Sequence, residues 1–339
     1  MQTRKHVLRR SPEGIPSEDD FELVEATVAD PADREVLAAV RYVSLDPGQR
    51  SRLGTGSDYA GSLNVAVDEV VTGYAVGEIV ESNHPDFAPG DSVTGELEWA
   101  EHCVVSGDEL SPVDVPAGVS ESAVLSVLGG TGRTAYFGLL DVGDPRPGET
   151  VVVSAAAGAV GSIVGQIARL AGCRAVGIAG SDEKVAYLTD ELGFDAGINY
   201  RTESVDQALG DRCPDGVDLY FDNVGGDIYD AVLGHLNQRA RIAVCGKISL
   251  YNEDEPDPGP RFMHQRKRVR EEGFIVHDFA HRFDEADERL GEWLSDGSIS
   301  FREHVSEGVE RLPSAFIGLF EGDNIGKQLV EIPHDGTGQ

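Results

Sequence analysis

The sequence predicts an α/β protein of two domains, a small barrel-like β domain followed by a doubly wound parallel sheet. Its 339 residues are too many for one ordinary core, and 40% of them are hydrophobic. From Phe21 to about Val119, short strand-like segments alternate with turns, as in "YAVGEIVES" and "FAPGDSVTG". Closely spaced strands of this kind indicate a small barrel. After about residue 125, strand-like runs alternate with helical patterns, which indicates βαβ units and a parallel sheet.

We therefore place the first domain at residues 1–124 and the second at 125–300. In the second domain "TVVVSA" precedes "GSIVGQIARLAG", "RAVGIAG" precedes "DEKVAYLTDELG", and "GVDLYFDNV" precedes "DIYDAVLGHLN". The tail, residues 301–339, reads as strand, helix and strand. We expect it to return to the first domain and complete it.

The charge of the chain is strongly acidic. Sixty Asp and Glu oppose 28 Lys and Arg, for a net charge of −32, and the acids are scattered along the sequence. Periodic apolar segments argue for a folded protein with a carboxylate-coated surface, which repels itself at low salt and is screened at high salt. The composition is similar to that of cytosolic proteins from salt-accumulating, halophilic organisms. It excludes nucleic acid as an expected partner, because such binders need basic faces.

One basic cluster stands against this background, the segment "RFMHQRKRVR" from Arg261 to Arg270. It could attract an anionic substrate or the phosphates of a nucleotide. A solvated helix face that pairs with the protein's own carboxylates is the favoured interpretation.

The sequence predicts a cytoplasmic protein without a membrane partner. No apolar run approaches the length that spans a bilayer, and the basic N-terminal segment lacks the apolar stretch of a secretion signal. The four cysteines lie far apart and form no CxxC pair, which favours buried free thiols in a reducing compartment. They are Cys103, Cys173, Cys213 and Cys245.

The stretch "VVVSAAAGAVGSIVGQIARLAG" is typical of a dinucleotide site. A strand runs into small residues, and Gly158 and Gly161 then open a helix, with Ala156 in place of the first glycine of the usual motif. The amides and the positive dipole end of such a helix bind a pyrophosphate. A tight strand–helix turn in any α/β protein could look similar, but the flanking strand and helix favour the cofactor interpretation.

The next strand, "RAVGIAG", selects between the two nicotinamide cofactors. An NAD site places an acidic residue at the end of this strand to bind the ribose hydroxyl. Here the strand ends at Gly180, which leaves room for a phosphate, and Lys184 supplies a cation just beyond. Asp182 and Glu183 argue the other way, although acids are expected in the first turn of a helix. We predict NADP(H).

Several long motifs occur in family order: "LGGTGRTAYFGLL", "GETVVVSAAAGAVGSIVGQIA", "VDLYFDNVGGDIYDAVL", "RIAVCGKISLYN" and "AFIGLFEGDNIGKQLV". From about Leu45 onward the chain resembles the zinc-independent medium-chain dehydrogenases/reductases. The nearest branch is that of prostaglandin reductase/leukotriene B4 12-hydroxydehydrogenase, curcumin reductase and plant alkenal double-bond reductases. The resemblance implies a GroES-like β-barrel catalytic domain, a Rossmann domain and a homodimer. It also implies hydride transfer from NADPH to the β-carbon of α,β-unsaturated ketones or aldehydes.

The resemblance also implies roles for individual residues. These residues are added to the cofactor-binding candidates already named, which are Gly158 and Gly161 of the glycine motif and Gly180 at the strand end. The cofactor-binding residues by motif position are Ala159 and Val160 at the pyrophosphate, Lys184 and Tyr200 at the 2′-phosphate, Asn223 at the cofactor, Cys245 and Gly246 on the nicotinamide side, and Asn324 closing on the cofactor from the tail.

The predicted reaction needs a hydrogen-bond donor at the carbonyl oxygen, where negative charge develops. A metal could serve, but no Cys and His stand at ligand spacing. His102-Cys103 lacks a third ligand, and His277 with His281 is better explained as a solvated helix end. The nicotinamide ribose and a tyrosine hydroxyl remain as donors, and Tyr251 is the catalytic candidate. A packing tyrosine on a cleft wall is the alternative.

One departure from the family weakens the transfer of its substrate class to this chain. The family has an aromatic residue after its "LDP", whereas this chain has Gly48. Tyr59 and Tyr74 are near in sequence, and neither is shown to compensate. Two other hypotheses stay open at this point, a quinone reductase and an NADPH-binding protein without turnover.

Overall fold

The computed structural model describes residues 1–54, 64–252 and 262–334. The chain divides into two compact units. The first unit comprises Met1–Leu125 and Glu303–Gln339, and the second comprises Ser126–Arg302.

The described strands and α-helices are numbered in chain order. The strands are β1 (Gln2–Leu8), β2 (Phe21–Thr27), β3 (Glu35–Ser44), β4 (Thr72–Ser82), β5 (Ser92–Glu98), β6 (His102–Ser106), β7 (Ser111–Pro112), β8 (Thr150–Val153), β9 (Arg174–Ala179), β10 (Ala196–Asn199), β11 (Val217–Asp222), β12 (Leu236–Val244), β13 (Arg270–Gly273), β14 (Glu303–Glu307) and β15 (Lys327–Glu331). The helices are α1 (Gly130–Phe137), α2 (Ala159–Leu170), α3 (Asp182–Ala186), α4 (Val205–Arg212), α5 (Gly226–His235), α6 (Phe262–Lys267), α7 (Phe283–Ser295) and α8 (Leu312–Glu321).

The first unit is built on a seven-stranded mixed sheet in the order β14-β15-β3-β4-β5-β7, with β6 paired to β3. Strands β14 and β15 come from the tail, and β15 pairs antiparallel with β3. One hydrophobic core joins the tail to the rest. The Trp99 ring stacks on Phe21 at 5.7 Å between centroids and meets Phe316 of α8 edge-on at 5.9 Å.

The first strand was not anticipated from the sequence, where strand signals begin at Phe21. Strand β1 pairs antiparallel with β2 along its whole length. Its buried positions include Thr3 and His6, which are each 3% exposed. Because these two residues are polar, the sequence of the strand shows no run of alternating apolar residues. A strand whose buried side chains are polar escapes a search for alternating apolar residues.

The second unit confirms the doubly wound parallel sheet. Its six strands are all parallel and run in the order β10-β9-β8-β11-β12-β13. The order reverses between β8 and β11, so the chain winds outward in both directions from this switch point. Ligands of such sheets bind outside the carboxyl ends of the strands at the switch point.

The cysteines are free thiols, as the sequence predicts; Cys103, Cys173 and Cys213 are buried as expected, whereas Cys245 is only half-buried. In the part of the chain that the structure describes, no helix combines the length and apolar character needed to cross a membrane.

Candidate cofactor and active site

The glycine turn links β8 to α2 at the switch point. Ala155 adopts φ 47°, the left-handed region that ordinary residues rarely enter, and Gly158 is the N-cap of α2. A Cβ atom at Gly161 would lie only 2.5 Å from the carbonyl oxygen of Ala155, so glycine is required where the helix crosses the turn. The structure therefore gives Gly161 the close-packing role that the motif predicts.

The first turn of α2 presents donors suited to an anion. Among residues 1–54, 64–252 and 262–334, no acceptor is found for the amides of Ala159, Val160 and Gly161. These amides lie at the positive end of the helix dipole, and no acidic side chain occupies the first turn. The arrangement fits a pyrophosphate.

The end of β9 brings Gly180 and Tyr200 together. A Cβ atom at Gly180 would lie 3.0 Å from the hydroxyl oxygen of Tyr200, so the glycine leaves room for the tyrosine. Tyr200 is 41% exposed. The Arg201 guanidinium lies 5.9 Å from the centroid of its ring, and sequence reasoning did not single out this arginine.

The acids that argued for NAD lie in the first turn of α3. Ser181 is the N-cap, and its hydroxyl accepts a hydrogen bond from the backbone amide of Lys184 at 3.2 Å. Asp182 accepts a hydrogen bond from the Asn199 side-chain amide at 2.7 Å. The Asp182 carboxylate is thus tied to the end of β10, while Lys184 stands in the first turn of the helix.

A buried carboxylate organises the edge beyond the switch point, and sequence reasoning missed it. Asp222 ends β11 and is 0% exposed. Its Oδ1 atom accepts hydrogen bonds from the hydroxyls of Tyr220 at 2.7 Å and Ser154 at 3.0 Å. It also accepts from the amides of Val224 at 2.9 Å and Gly225 at 3.0 Å. The available signal was a charged residue at the end of the apolar run "LYF".

The predicted nicotinamide-side residues gather around this carboxylate. The Asp222 backbone carbonyl accepts the amides of Cys245 at 2.9 Å and Gly246 at 3.1 Å. The Asn223 side-chain amide donates to the Ser154 carbonyl at 2.7 Å. Burial, and secondly the Asp222 charge, raises the pKa of the Cys245 thiol to about 12, so this cysteine remains protonated at neutral pH.

Tyr251 lies at the same edge. It follows a short 3₁₀ turn, Ile248–Leu250, and its hydroxyl accepts the Lys247 amide at 3.4 Å. A Cβ atom at Gly246 would lie 3.0 Å from that hydroxyl oxygen. The glycine therefore lets the tyrosine hydroxyl approach the strand end that carries Cys245.

The structure brings eleven of the predicted residues together in the second unit, at the carboxyl edge of one sheet. Asn324 belongs to the first unit, in the turn between α8 and β15, where its side-chain amide donates to the Gly326 carbonyl at 2.7 Å. Its action on the cofactor stays a prediction.

The metal candidates do not form ligand sets in the described ranges, where no group of three His, Cys, Asp or Glu could hold a metal ion. The His102 ring packs against His334, and burial raises the pKa of the neighbouring Cys103 thiol to about 12. His277 and His281 are exposed in a 3₁₀ helix, Val276–Arg282, whose three-residue turn does not align i and i+4 positions.

Two other sequence features have structural outcomes. Gly48 lies in a short 3₁₀ turn, Pro47–Arg52. Tyr74 on β4 is 52% exposed, whereas Tyr59 lies outside the described residues.

In the described part of the basic segment, Lys267 donates a hydrogen bond to the Gly234 carbonyl at the end of α5 at 2.7 Å.

Comparisons with known proteins match both units. Residues 4–113 match the family described as the N-terminal domain of oxidoreductase, and residues 159–292 match the zinc-binding dehydrogenase family. The chain is 43% identical to the NADPH-dependent curcumin reductase of Escherichia coli (strain K12), over 98% of this chain and 97% of the relative. It is 39% identical to the NADP⁺-dependent 2-alkenal reductase of Nicotiana tabacum, over 97% of each chain. The crystal structure of CurA from Vibrio vulnificus in complex with NADPH superposes with a TM-score of 0.92 at 40% identity, covering 98% of this chain and 100% of that one.

Proposed function

Since the chain belongs to the zinc-independent branch of the medium-chain dehydrogenases/reductases and is an NADP-dependent oxidoreductase, we propose the following reaction. In this reaction, the enzyme reduces the carbon–carbon double bond of α,β-unsaturated ketones and aldehydes by transferring a hydride to the β-carbon. The observation that supports the proposal is a tyrosine hydroxyl at the carboxyl edge of the parallel sheet. Tyr251 lies against Gly246 there, next to the residues that the Asp222 carbonyl holds.

The residues at the sheet edge fit NADP(H) in two halves. The first-turn amides of α2 would hold the pyrophosphate, and Lys184 and Tyr200 would hold the 2′-phosphate. Asn223, Cys245 and Gly246 would border the nicotinamide half, and Asn324 would close on the cofactor. When bound, NADPH supplies the hydride.

Tyr251 would stabilise the charge that forms on the substrate. As the β-carbon takes up the hydride, the electron pair of the double bond moves toward the carbonyl, and its oxygen gains negative charge. A tyrosine hydroxyl has one O–H donor, which in Tyr251 would form a hydrogen bond to this oxygen, while the hydroxyl oxygen accepts a hydrogen bond from the Lys247 amide. Such a donor is worth most where it is already oriented before the reaction. Protonation of the α-carbon by solvent completes the reduction.

The proposal is tested by NADPH consumption against a panel of enones, alkenals and quinones in multimolar KCl, with identification of the products. We expect the saturated ketone or aldehyde, with one NADPH oxidised for each double bond lost. Consumption with quinones and no saturation of any enone would assign the protein to quinone reduction instead.

Replacement of Lys184 by Ala should weaken NADPH binding and leave NADH binding almost unchanged, because only NADPH carries the 2′-phosphate. A charged hydrogen bond of this kind is worth about 1.5–3 kcal/mol, or roughly ten- to a hundredfold in affinity. The two dissociation constants are measured by nucleotide fluorescence titration. Lys5→Ala, in the first unit beside Glu98, is the matched control and should change neither constant. Equal affinity of the unaltered protein for both nucleotides contradicts the assignment.

We further propose a homodimer in the cytoplasm of a salt-accumulating organism. Strand β13 ends the parallel sheet, and all four of its residues are exposed, so its free edge can accept a second copy. Light scattering after size-exclusion chromatography in high salt should give about twice the chain mass of 36.2 kDa. A single-chain mass at micromolar concentration contradicts the dimer.

A further inference from the structure

The Asp222 carboxylate is held in an unusual way. It is completely buried, and all four donors to its Oδ1 atom are uncharged hydroxyls or backbone amides. Its Oδ2 atom has no hydrogen-bond partner in the part of the chain that the structure describes. Buried carboxylates are costly unless they are paired and fully hydrogen-bonded. A residue of this kind at a strand end points to a role beyond packing.

The carboxylate fixes the turn that follows β11. Its bonds to the amides of Val224 and Gly225 close this turn at the start of α5, and Gly225 itself has φ 73°. The Ser154 hydroxyl links β8 to the same turn. It donates a hydrogen bond to the Asp222 carboxylate and accepts one from the Asn223 backbone amide at 2.9 Å. The end of β8 and the end of β11 are thus joined through one carboxylate.

The backbone of Asp222 fixes a third strand end. Its carbonyl accepts two amides from the segment after β12, those of Cys245 and Gly246. Tyr251 lies against Gly246 in turn. Displacement of Asp222 would therefore disturb Asn223, Gly246 and the catalytic candidate together.

The ends of β11 and β12 lie on one side of the switch point, and the end of β8 lies on the other. The amides of α2 follow β8, and Gly180 with Tyr200 lies at the ends of β9 and β10, on the adenosine side of the sheet. A dinucleotide that spans the switch point places its other half over β11 and β12. The Asp222 network thus lies mainly under the nicotinamide half, and it reaches the β8 side of the switch point through Ser154.

We propose that Asp222 is a positioning residue for the nicotinamide half of NADP(H). It holds the turn at residues 223–226 and the strand end at 244–246 in the binding geometry before the cofactor arrives, and it has no part in binding the adenosine half. Preorganisation of this kind raises affinity because less ordering remains to be done on binding. The inference rests on the proposed function for the placement of the nicotinamide.

The test compares two ligands on the full-length Asp222→Asn variant by isothermal titration calorimetry. One ligand is NADPH, and the other is 2′,5′-ADP, which lacks the nicotinamide. An amide oxygen is a weaker acceptor than a carboxylate oxygen for several donors, so we expect NADPH affinity to fall by about tenfold or more. Affinity for 2′,5′-ADP should stay within about twofold, because the amides of α2 are untouched.

The matched control is Asp218→Asn, on the same strand but at its opposite end. Asp218 also accepts a backbone amide, that of Thr150 at 2.9 Å, and an Asn237 side-chain amide at 2.8 Å. The same substitution there should leave both affinities unchanged. If the Asp222 variant does not fold, Ser154→Ala removes only the bridging hydroxyl and should give the same split between ligands, with NADPH weakened by about threefold or more.

Unchanged NADPH binding in the folded Asp222→Asn protein overturns the proposal. Equal weakening of both ligands also overturns it, since that result describes a general loss of structure. If only the Ser154→Ala variant folds, the proposal is overturned when that variant weakens NADPH binding no more than 2′,5′-ADP binding. The titrations contain no substrate, so a failure of enone reduction would contradict the proposed function and leave this result standing.

Discussion

Tyr251→Phe should lower the turnover rate with enones by about 10²–10³, the effect of removing one donor from a developing oxyanion. The substitution keeps the aromatic ring and removes only the hydroxyl that lies beside Gly246. Folding and NADPH affinity should therefore survive. A loss nearer the lower end is expected if the ribose hydroxyl of the cofactor shares the charge. The measurement is kcat and KM on the best enone substrate, together with the NADPH dissociation constant.

A matched control separates this effect from general damage. Tyr136→Phe removes a hydroxyl in the same unit that donates to Glu285 at 3.1 Å, away from the sheet edge, and should leave kcat unchanged. Treatment with a chelator should also leave the activity of the unaltered protein intact. Stoichiometric zinc whose removal abolishes turnover would contradict the assignment of Tyr251 as the donor in a metal-free reaction. A Tyr251→Phe variant with unaltered kinetics on every substrate would contradict it as well.

The melting temperature should rise steeply as KCl is added to dilute buffer. Pairing every Lys and Arg with one acid would still leave 32 carboxylates without a cationic partner. Screening of their repulsion should stabilise the fold by about 5 kcal/mol, which corresponds to roughly 7 °C for a chain of 339 residues. Most of the rise should occur below about 1 M, where the Debye length has already fallen to about 3 Å.

The control for this prediction is a non-ionic cosolute. Sucrose at the same osmolality favours compact states through exclusion from the surface but screens no charge. It should therefore give a smaller rise than KCl between dilute buffer and about 1 M. A melting temperature that stays flat from dilute buffer to saturated salt contradicts the interpretation of the surface.

Much of the candidate site followed from local sequence. The glycine motif was predicted to join a strand to a helix, and a Cβ atom at Gly161 would lie only 2.5 Å from the Ala155 carbonyl oxygen, which gives the steric reason for glycine there. The family and the use of NADP(H) were predicted from ordered motifs and from Gly180 with Lys184, and the relatives confirm both. The individual cofactor and catalytic roles, from Ala159 to Tyr251, stay predictions.

The sequence by itself determined the features that depend on neighbouring residues: the parallel sheet, the glycine turn, the acidic first turn of α3 and the net charge. Only the tertiary structure revealed the Asp222 network, because its partners come from β8, β11 and the segment after β12 and meet through folding alone. The burial of polar Thr3 and His6 in β1 likewise depends on contacts with distant residues. His6 accordingly bonds to the Val309 carbonyl, 303 positions along the chain. Local patterns encode strand and helix period, whereas a buried polar group is defined by partners that no local window contains.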